Sequence, residues 1–257
     1  MSLAGRACAV FGFASTRSLA WGIASSWNAA GASISIGIAS ERFRSALDRA
    51  TAEWPTPPHI IVCDVTSDAS ISSAVDSVGA AHNGRLHALA HSIASAPMTA
   101  MRVPLLETSR ADFLAAHDVS AFSLIALTRA AMPLFSNAGG GSVCSLSYLG
   151  AVRAAPNYRV MGAAKASLEA TSRALAAELG PRSIRVNVIS SGPVDTLAAR
   201  GISGFTDLRM NVAARSPLAR DVTLHDVGAL ATFLASDGAS GITGQTLYVD
   251  GGFSAVV

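Results

Sequence analysis

The sequence predicts an α/β fold: one domain built on a doubly wound, seven-stranded parallel sheet with helices on both faces. Three observations predict it. Short apolar runs without polar interruption recur along the whole chain, as in parallel strands covered on both sides. Helix-length segments fill every gap between them, and such alternation implies right-handed crossovers between parallel strands. The chain has 257 residues, half of them hydrophobic and 14% charged. That suits a single domain, residues 1–257, with a large core.

Taken in order, the strands are expected at 7–11, 33–38, 60–63, 86–91, 141–146, 185–189 and 245–249. Helices are expected at about 20–28, 41–53, 68–83, 110–135, 157–179 and 223–235. Asn157 is a good N-cap for the fifth of these, whose Ala-rich body runs to Gly180-Pro181. The sixth opens on Thr223-x-x-Asp226, close to a capping box. Residues 191–222 show no clear period, and a long loop in a compact domain is usually functional. No repeat, charge block or linker divides the chain.

Composition narrows the class. A formal charge of +2 is too small to argue for a nucleic-acid partner. Mean hydropathy is +0.41, yet no apolar run reaches the roughly 18 residues of a membrane span. The first residues lack a basic stretch followed by a long apolar one, so no signal peptide is expected. Cys8, Cys63 and Cys144 are widely spaced, each in an expected strand, and read as small core residues of a reducing compartment. A soluble, cytoplasmic protein without a metal site is the expectation.

In a doubly wound sheet the ligand lies beyond the carboxyl ends of the strands. After the first strand, Gly12 to Gly22 carries small hydroxyl residues and a helix start. The usual glycine fingerprint is missing, but free N–H groups there suit a pyrophosphate; a plain surface loop is the other reading. After the third strand, Asp64-Val65 could read an adenine edge. Ser92, Ile93 and Ala94 follow the fourth strand and Gly192 to Thr196 the sixth, again small or hydroxyl residues.

The stretch from Ser147 to Lys165 is the most unusual. It holds two of the three tyrosines, Tyr148 and Tyr158, and the only lysine; every other basic residue is arginine. Such a pattern selects a compact ammonium over a planar fork. On a helix, Tyr158 and Lys165, seven residues apart, return to the same face about 10 Å apart along the axis. Met161 lies between them. An exposed lysine beside a half-buried tyrosine would give the same spacing.

Together these residues resemble the short-chain dehydrogenase/reductase superfamily. The carriers are Gly12-x5-Ser18-x3-Gly22, Asp64-Val65, His91-Ser92-Ile93, Ser147-Tyr148-Leu149-Gly150, Tyr158-x2-Met161-x3-Lys165, Gly192-Pro193 and Val249-Asp250-Gly251-Gly252-Phe253. With six residues between tyrosine and lysine, and Met161 where ordinary ketoreductases keep their tyrosine, the chain is more closely similar to the divergent FabI-type enoyl-acyl-carrier-protein reductases, from about residue 3 to 254. The resemblance implies a Rossmann fold with NADH (NADPH staying open) bound along Gly12, Ser18 and Leu19. Asp64 and Val65 would hold adenine, Ser92 and Ile93 would border ribose and nicotinamide, and Val194 and Thr196 would meet the carboxamide. Lys165 would bond the ribose hydroxyls. Tyr158 would face the thioester carbonyl, where a phenol aimed at a developing enolate is typically worth roughly 3–4 kcal/mol. Tyr148 would line the pocket or share the proton relay. Ala94, Ala96, Tyr148, Tyr158 and Met161 would border the substrate, and Leu197, Ile202 and Phe205 would line an acyl slot under a lid at about 191–222.

The resemblance further implies an acyl-carrier-protein substrate and a homotetramer, the latter matching helices apolar on more than one side. Relatives present more basic residues on the lid; here Arg200, Arg209, Arg215 and Arg220 remain, which leaves a coenzyme A ester or another enone open. Another short-chain reductase activity, or a dinucleotide sensor without turnover, are the other readings. NADH is expected because Ala39 and Ser40 offer a 2′-phosphate no cation and Glu41 repels it, with Arg42 the one opposing residue. His91 reads as a satisfied core histidine, and Asp118 as a helix-interior polar contact.

Overall fold

The computed structural model describes residues 1–197 and 199–256. Its strands are β1 (Ala7–Phe13), β2 (Ser33–Ile38), β3 (His59–Val62), β4 (Ala88–His91), β5 (Gly141–Tyr148), β6 (Ile184–Ser191) and β7 (Thr246–Val249). The helices are α1 (Leu19–Ala29), α2 (Arg44–Thr51), α3 (Asp68–Ala81), α4 (Met98–Arg102), α5 (Arg110–His117), α6 (Ser123–Ala138), α7 (Arg159–Leu179), α8 (Phe205–Arg215) and α9 (Leu224–Ala235).

All seven strands pair in parallel in the order β3-β2-β1-β4-β5-β6-β7. The order reverses between β1 and β4, which opens a crevice at their carboxyl ends. Two apolar layers cover the sheet. Trp27, Ile23, Ile36 and Leu234 belong to the layer of α1 and α9, while Leu124, Phe135, Leu89 and Leu168 belong to that of α3, α6 and α7. The α1–α9 contact is close because a Cβ on Gly22 would lie 2.7 Å from the Leu224 carbonyl oxygen. Gly22, the next glycine after Gly12, thus serves helix packing. Cys8, Cys63 and Cys144 are buried and free.

Several boundaries differ from the sequence reading. The stretch at 41–53 splits into a 3-10 turn (Glu41–Phe43) and α2. The expected helix at 110–135 is α5 and α6 joined through a π-helical turn, Asp118–Phe122. By length and composition, Arg110–Ala138 could cross a membrane; 56% of its richest window is buried, with Leu124, Leu127, Ala131 and Phe135 fully inside. It is a core helix of this sheet. Residues 191–222 are not all loop, since α8 lies within them; mostly exposed, it buries only Phe205 and Val212 and so shows little amphipathic period. Asn157 does not cap α7. Its backbone is left-handed (φ 60), its side chain donates to the Ser203 carbonyl at 2.9 Å, and Tyr158 takes the cap position. The Thr223–Asp226 capping box forms in full.

Candidate active site

The crevice at the sheet's carboxyl edge opens into a cavity of about 640 Å³. Every residue expected to bind cofactor or substrate lines it, from Gly12, Ser18 and Leu19 through Asp64, Val65, Ser92 and Ile93 to Leu197, Ile202 and Phe205. Tyr148, Tyr158, Met161 and Lys165 line the same cavity.

One end suits a dinucleotide. Gly12 has φ 109, and a Cβ there would fall 2.2 Å from the Ser92 carbonyl oxygen, so only glycine lets β1 turn this close to the loop after β4. Ser18 caps α1, accepting from Trp21 N–H at 3.3 Å and donating to the Ser15 carbonyl at 2.7 Å. The N-terminus of α1 thus opens onto the cavity, as an anion site requires. Asp64 accepts from the Thr66 N–H and hydroxyl, which hold its carboxyl below the usual carboxylate range.

Lys165 is 5% exposed. Its Nζ donates to the Leu146 carbonyl at 2.7 Å and to that of Ile93 at 3.4 Å. Burial pulls its pKa down to about 8 against the opposing pull of Glu169. The alternative of an exposed surface lysine therefore fails on geometry.

Tyr158 and Tyr148 meet edge to face, ring centroids 5.0 Å apart at 71°. Burial raises both phenols, Tyr158 the more strongly, so each stays a protonated donor at neutral pH. The backbone on both sides of Tyr158 is left-handed, at Asn157 and at Arg159 (φ 44). A bulky residue reaches that region only when surroundings hold it; Arg159 is held by bonds to the Met101 and Val103 carbonyls at 2.8 and 2.9 Å. This anchored turn aims the phenol.

The acyl end is apolar. Besides the expected lining, Met98, Met101, Pro156 and Leu208 also line the cavity; of these only Leu208 lies in the stretch without a clear period. Glu169 and Ser147 were also missed as a pair: Ser147 Oγ donates to Glu169 Oε1 at 2.5 Å, buried. The spacing of Glu169 from Lys165, one helical turn, was the available signal.

Other expectations need correction. His91 is satisfied at one nitrogen only: Nε2 meets Ser123 Oγ at 2.7 Å, while Nδ1 has no partner among the described residues. Asp118 lies in the π-turn, half-exposed, and its carboxylate accepts no hydrogen bond among the described residues. Glu41 does not stand free to repel a phosphate, because Arg44 grips both its oxygens at 2.5 and 3.0 Å. The lid arginines are largely paired. Arg200 is bidentate on Asp195 at 2.6 and 2.7 Å, Arg209 lies between Asp195 and Asp221, and Arg220 is bidentate on Asp226.

The doubly wound sheet, the α1 N-terminus that opens onto the cavity and the buried lysine with its tyrosine define a short-chain dehydrogenase/reductase. Residues 12–254 match the model of the family described as enoyl-(acyl carrier protein) reductase. The chain is 46% identical over 256 residues to the NADH enoyl-[acyl-carrier-protein] reductase FabI of Nostoc, covering 98% of each. It is 44% identical over 253 residues to that of Bacillus subtilis, covering 98% of this chain and 97% of the relative. The Bacillus cereus enoyl-acyl carrier protein reductase, solved with NADP+ and indole naphthyridinone, superposes with a TM-score of 0.96 at 39% identity, all of both chains covered. This chain belongs to the enoyl-(acyl carrier protein) reductase family.

Proposed function

We propose that the chain reduces the carbon–carbon double bond of a trans-2-enoyl thioester carried on acyl carrier protein, the enoyl reduction of fatty acid synthesis, with NADH as reductant. The observation that carries this reading is the Tyr158 phenol, kept protonated by burial, in one cavity with Lys165, the N-terminus of α1 and an apolar lining. When bound, the dinucleotide supplies a hydride to the β-carbon of the substrate. Negative charge then gathers on the thioester oxygen. Tyr158 donates a hydrogen bond to that oxygen, a donor fixed before charge develops. Lys165 bonds the ribose hydroxyls and so orients the reacting ring. Gly12, Ser18, Leu19, Asp64, Val65, Ser92, Ile93, Val194 and Thr196 hold the remainder of the dinucleotide. Tyr148 packs on Tyr158 and forms a wall of the site. Ala94, Ala96, Met161, Leu197, Ile202 and Phe205 border the acyl chain, and the segment at 191–222 acts as the lid of a single domain.

Arg42 lines the cavity near Ala39, while the charge of Glu41 is taken up by Arg44. NADH stays preferred only because Ala39 and Ser40 offer a 2′-phosphate no cation, by a smaller margin than a free Glu41 would give; comparing kcat/KM for the two cofactors decides it. The pairing of the lid arginines favours a second reading, in which a coenzyme A ester serves nearly as well as the carrier-protein substrate. The chain works as a cytoplasmic homotetramer; the exposed Phe113, Leu114 and Phe122 on α5 and the π-turn support a covered face there.

The test is NADH consumption with crotonyl-coenzyme A and with crotonyl carrier protein, set against a panel of ketones. Turnover of the thioesters with the ketones inert is expected. Ketone reduction without thioester turnover would replace this reading by another short-chain reductase activity.

A further inference from the structure

Glu169 has no part in the reaction above, yet it is 4% exposed. It follows Lys165 by one turn of α7, so the two side chains share a face. Consecutive residues of β5 meet them: the Leu146 carbonyl accepts from Lys165 and the Ser147 hydroxyl donates to Glu169. A carboxylate this deep is costly unless a cation or donors compensate. Ser147 supplies one donor. Among the described residues neither an arginine nor Lys165 lies within 4 Å of the Glu169 carboxylate, so any charge that balances it acts across the shared face of α7 and not through a direct ion pair. Lys165 is the cation whose charge it favours.

We propose that Glu169 is the counter-charge that keeps the Lys165 ammonium intact in its dry site, a positioning residue that reaches the cofactor only through Lys165. This rests on the reading of Lys165 as the cation of the cofactor ribose. Counting donors explains the need. An ammonium has three N–H donors, and the carbonyls of Leu146 and Ile93 occupy two. Loss of the proton removes the one donor left to reach the ribose hydroxyls.

Other titratable groups facing this pair do not supply the charge. His91 on β4 is neutral, pushed down to about 3 by burial and then by Lys165 itself. Tyr148 and Tyr158 are phenols raised by burial. Tyr248 on β7 is raised by burial and then by Glu169, with Asp250 and Arg153 acting on it as well. The Asp250 carboxylate is engaged by the Gly252 and Ser254 N–H groups, both at 2.9 Å.

Because Lys165 is the only lysine, selective ¹³Cε-lysine labelling gives one resonance that reads its charge directly, whatever substrate the chain reduces. Wild type should titrate near pH 8. Glu169→Gln keeps the volume and an acceptor for Ser147 but loses the charge. Its midpoint should fall by about one pH unit or more, and the alkaline loss of NADH affinity should move with it. Glu169→Asp should restore most of the shift. An unchanged midpoint in Glu169→Gln would overturn the proposal. Should that variant not fold, Ser147→Ala serves: stripping the carboxylate of its donor should lower the midpoint by less, and an unmoved resonance would again overturn it. If the shift is found but thioesters are not reduced, the enoyl-reductase reading fails while the Lys165–Glu169 coupling stands.

Discussion

Lys165 Nζ and the Leu146 carbonyl oxygen lie 2.7 Å apart, which fixes the one lysine of the chain to the end of β5. The bond points a compact ammonium into a space bounded by Ile93 on the other side. A guanidinium is wider and its donors lie in one plane. Lys165→Arg should therefore lose at least about tenfold in kcat/KM, or about 1.4 kcal/mol, nearly as much as Lys165→Ala. Steady-state kinetics with NADH titration checks this; wild-type values for the arginine variant would contradict it.

Tyr158→Phe should separate chemistry from binding. The ring and its contact with Tyr148 remain, and only the donor to the thioester oxygen is lost. We expect kcat to fall about 10²–10³-fold, the usual effect of removing one oxyanion donor, with the dissociation constant of NADH unchanged. Fluorescence titration and initial rates on the same preparation measure both.

Gly150→Ala should act through the same phenol. A Cβ there would come within 2.4 Å of the Tyr158 ring and 3.1 Å of that of Tyr148. The ring must move, and a displacement of about 1 Å at a reacting group can cost about 100-fold. The expected signature is a kcat loss comparable to the Tyr158→Phe loss, with an unchanged circular dichroism spectrum and unchanged NADH affinity.

Acid should unfold the chain from within. His82, His87 and His91 are all pulled below their ordinary value, burial being the main cause in each. The folded state refuses a proton that the unfolded state accepts, so stability is full above about pH 6.5 and falls as the pH drops below it. For His91, fully buried and held at about 3, the loss approaches about 1.4 kcal/mol per pH unit. Urea midpoints at pH 7 and 5 should show a steep acid slope in wild type. His91→Asn should flatten it, even if its stability at pH 7 is lower.

Much of this was legible in the sequence because parallel strands announce themselves as apolar runs with few alternatives. β2 and the capping box of α9 lie where the residues put them. What escaped depends on contacts made far along the chain. Asn157 has the chemistry of a cap, but its amide is drawn to the distant Ser203 carbonyl, and tertiary context sets its backbone. α8 buries too few residues to show a period. Arg44 and Asp195 reassign the charges of Glu41 and Arg200 through pairings that local propensity does not encode. Of the residues that line the cavity, those that follow a strand end or share one face of α7 could be read from the sequence, whereas Leu197, Ile202 and Phe205 were implied only by the family resemblance. Glu169 was overlooked because a glutamate one turn from a lysine ordinarily makes a surface pair; only the fold shows it inside.

The central claim is hydride delivery to the β-carbon of an enoyl thioester beneath Tyr158. Turnover of a crotonyl thioester with NADH deuterated at the transferring position, followed by mass and NMR analysis of the product, tests it most directly. The account predicts one deuterium at the β-carbon of the butyryl group and none at the α-carbon, which takes its proton from solvent. A product with the deuterium at the former carbonyl carbon, or at the α-carbon, would contradict it.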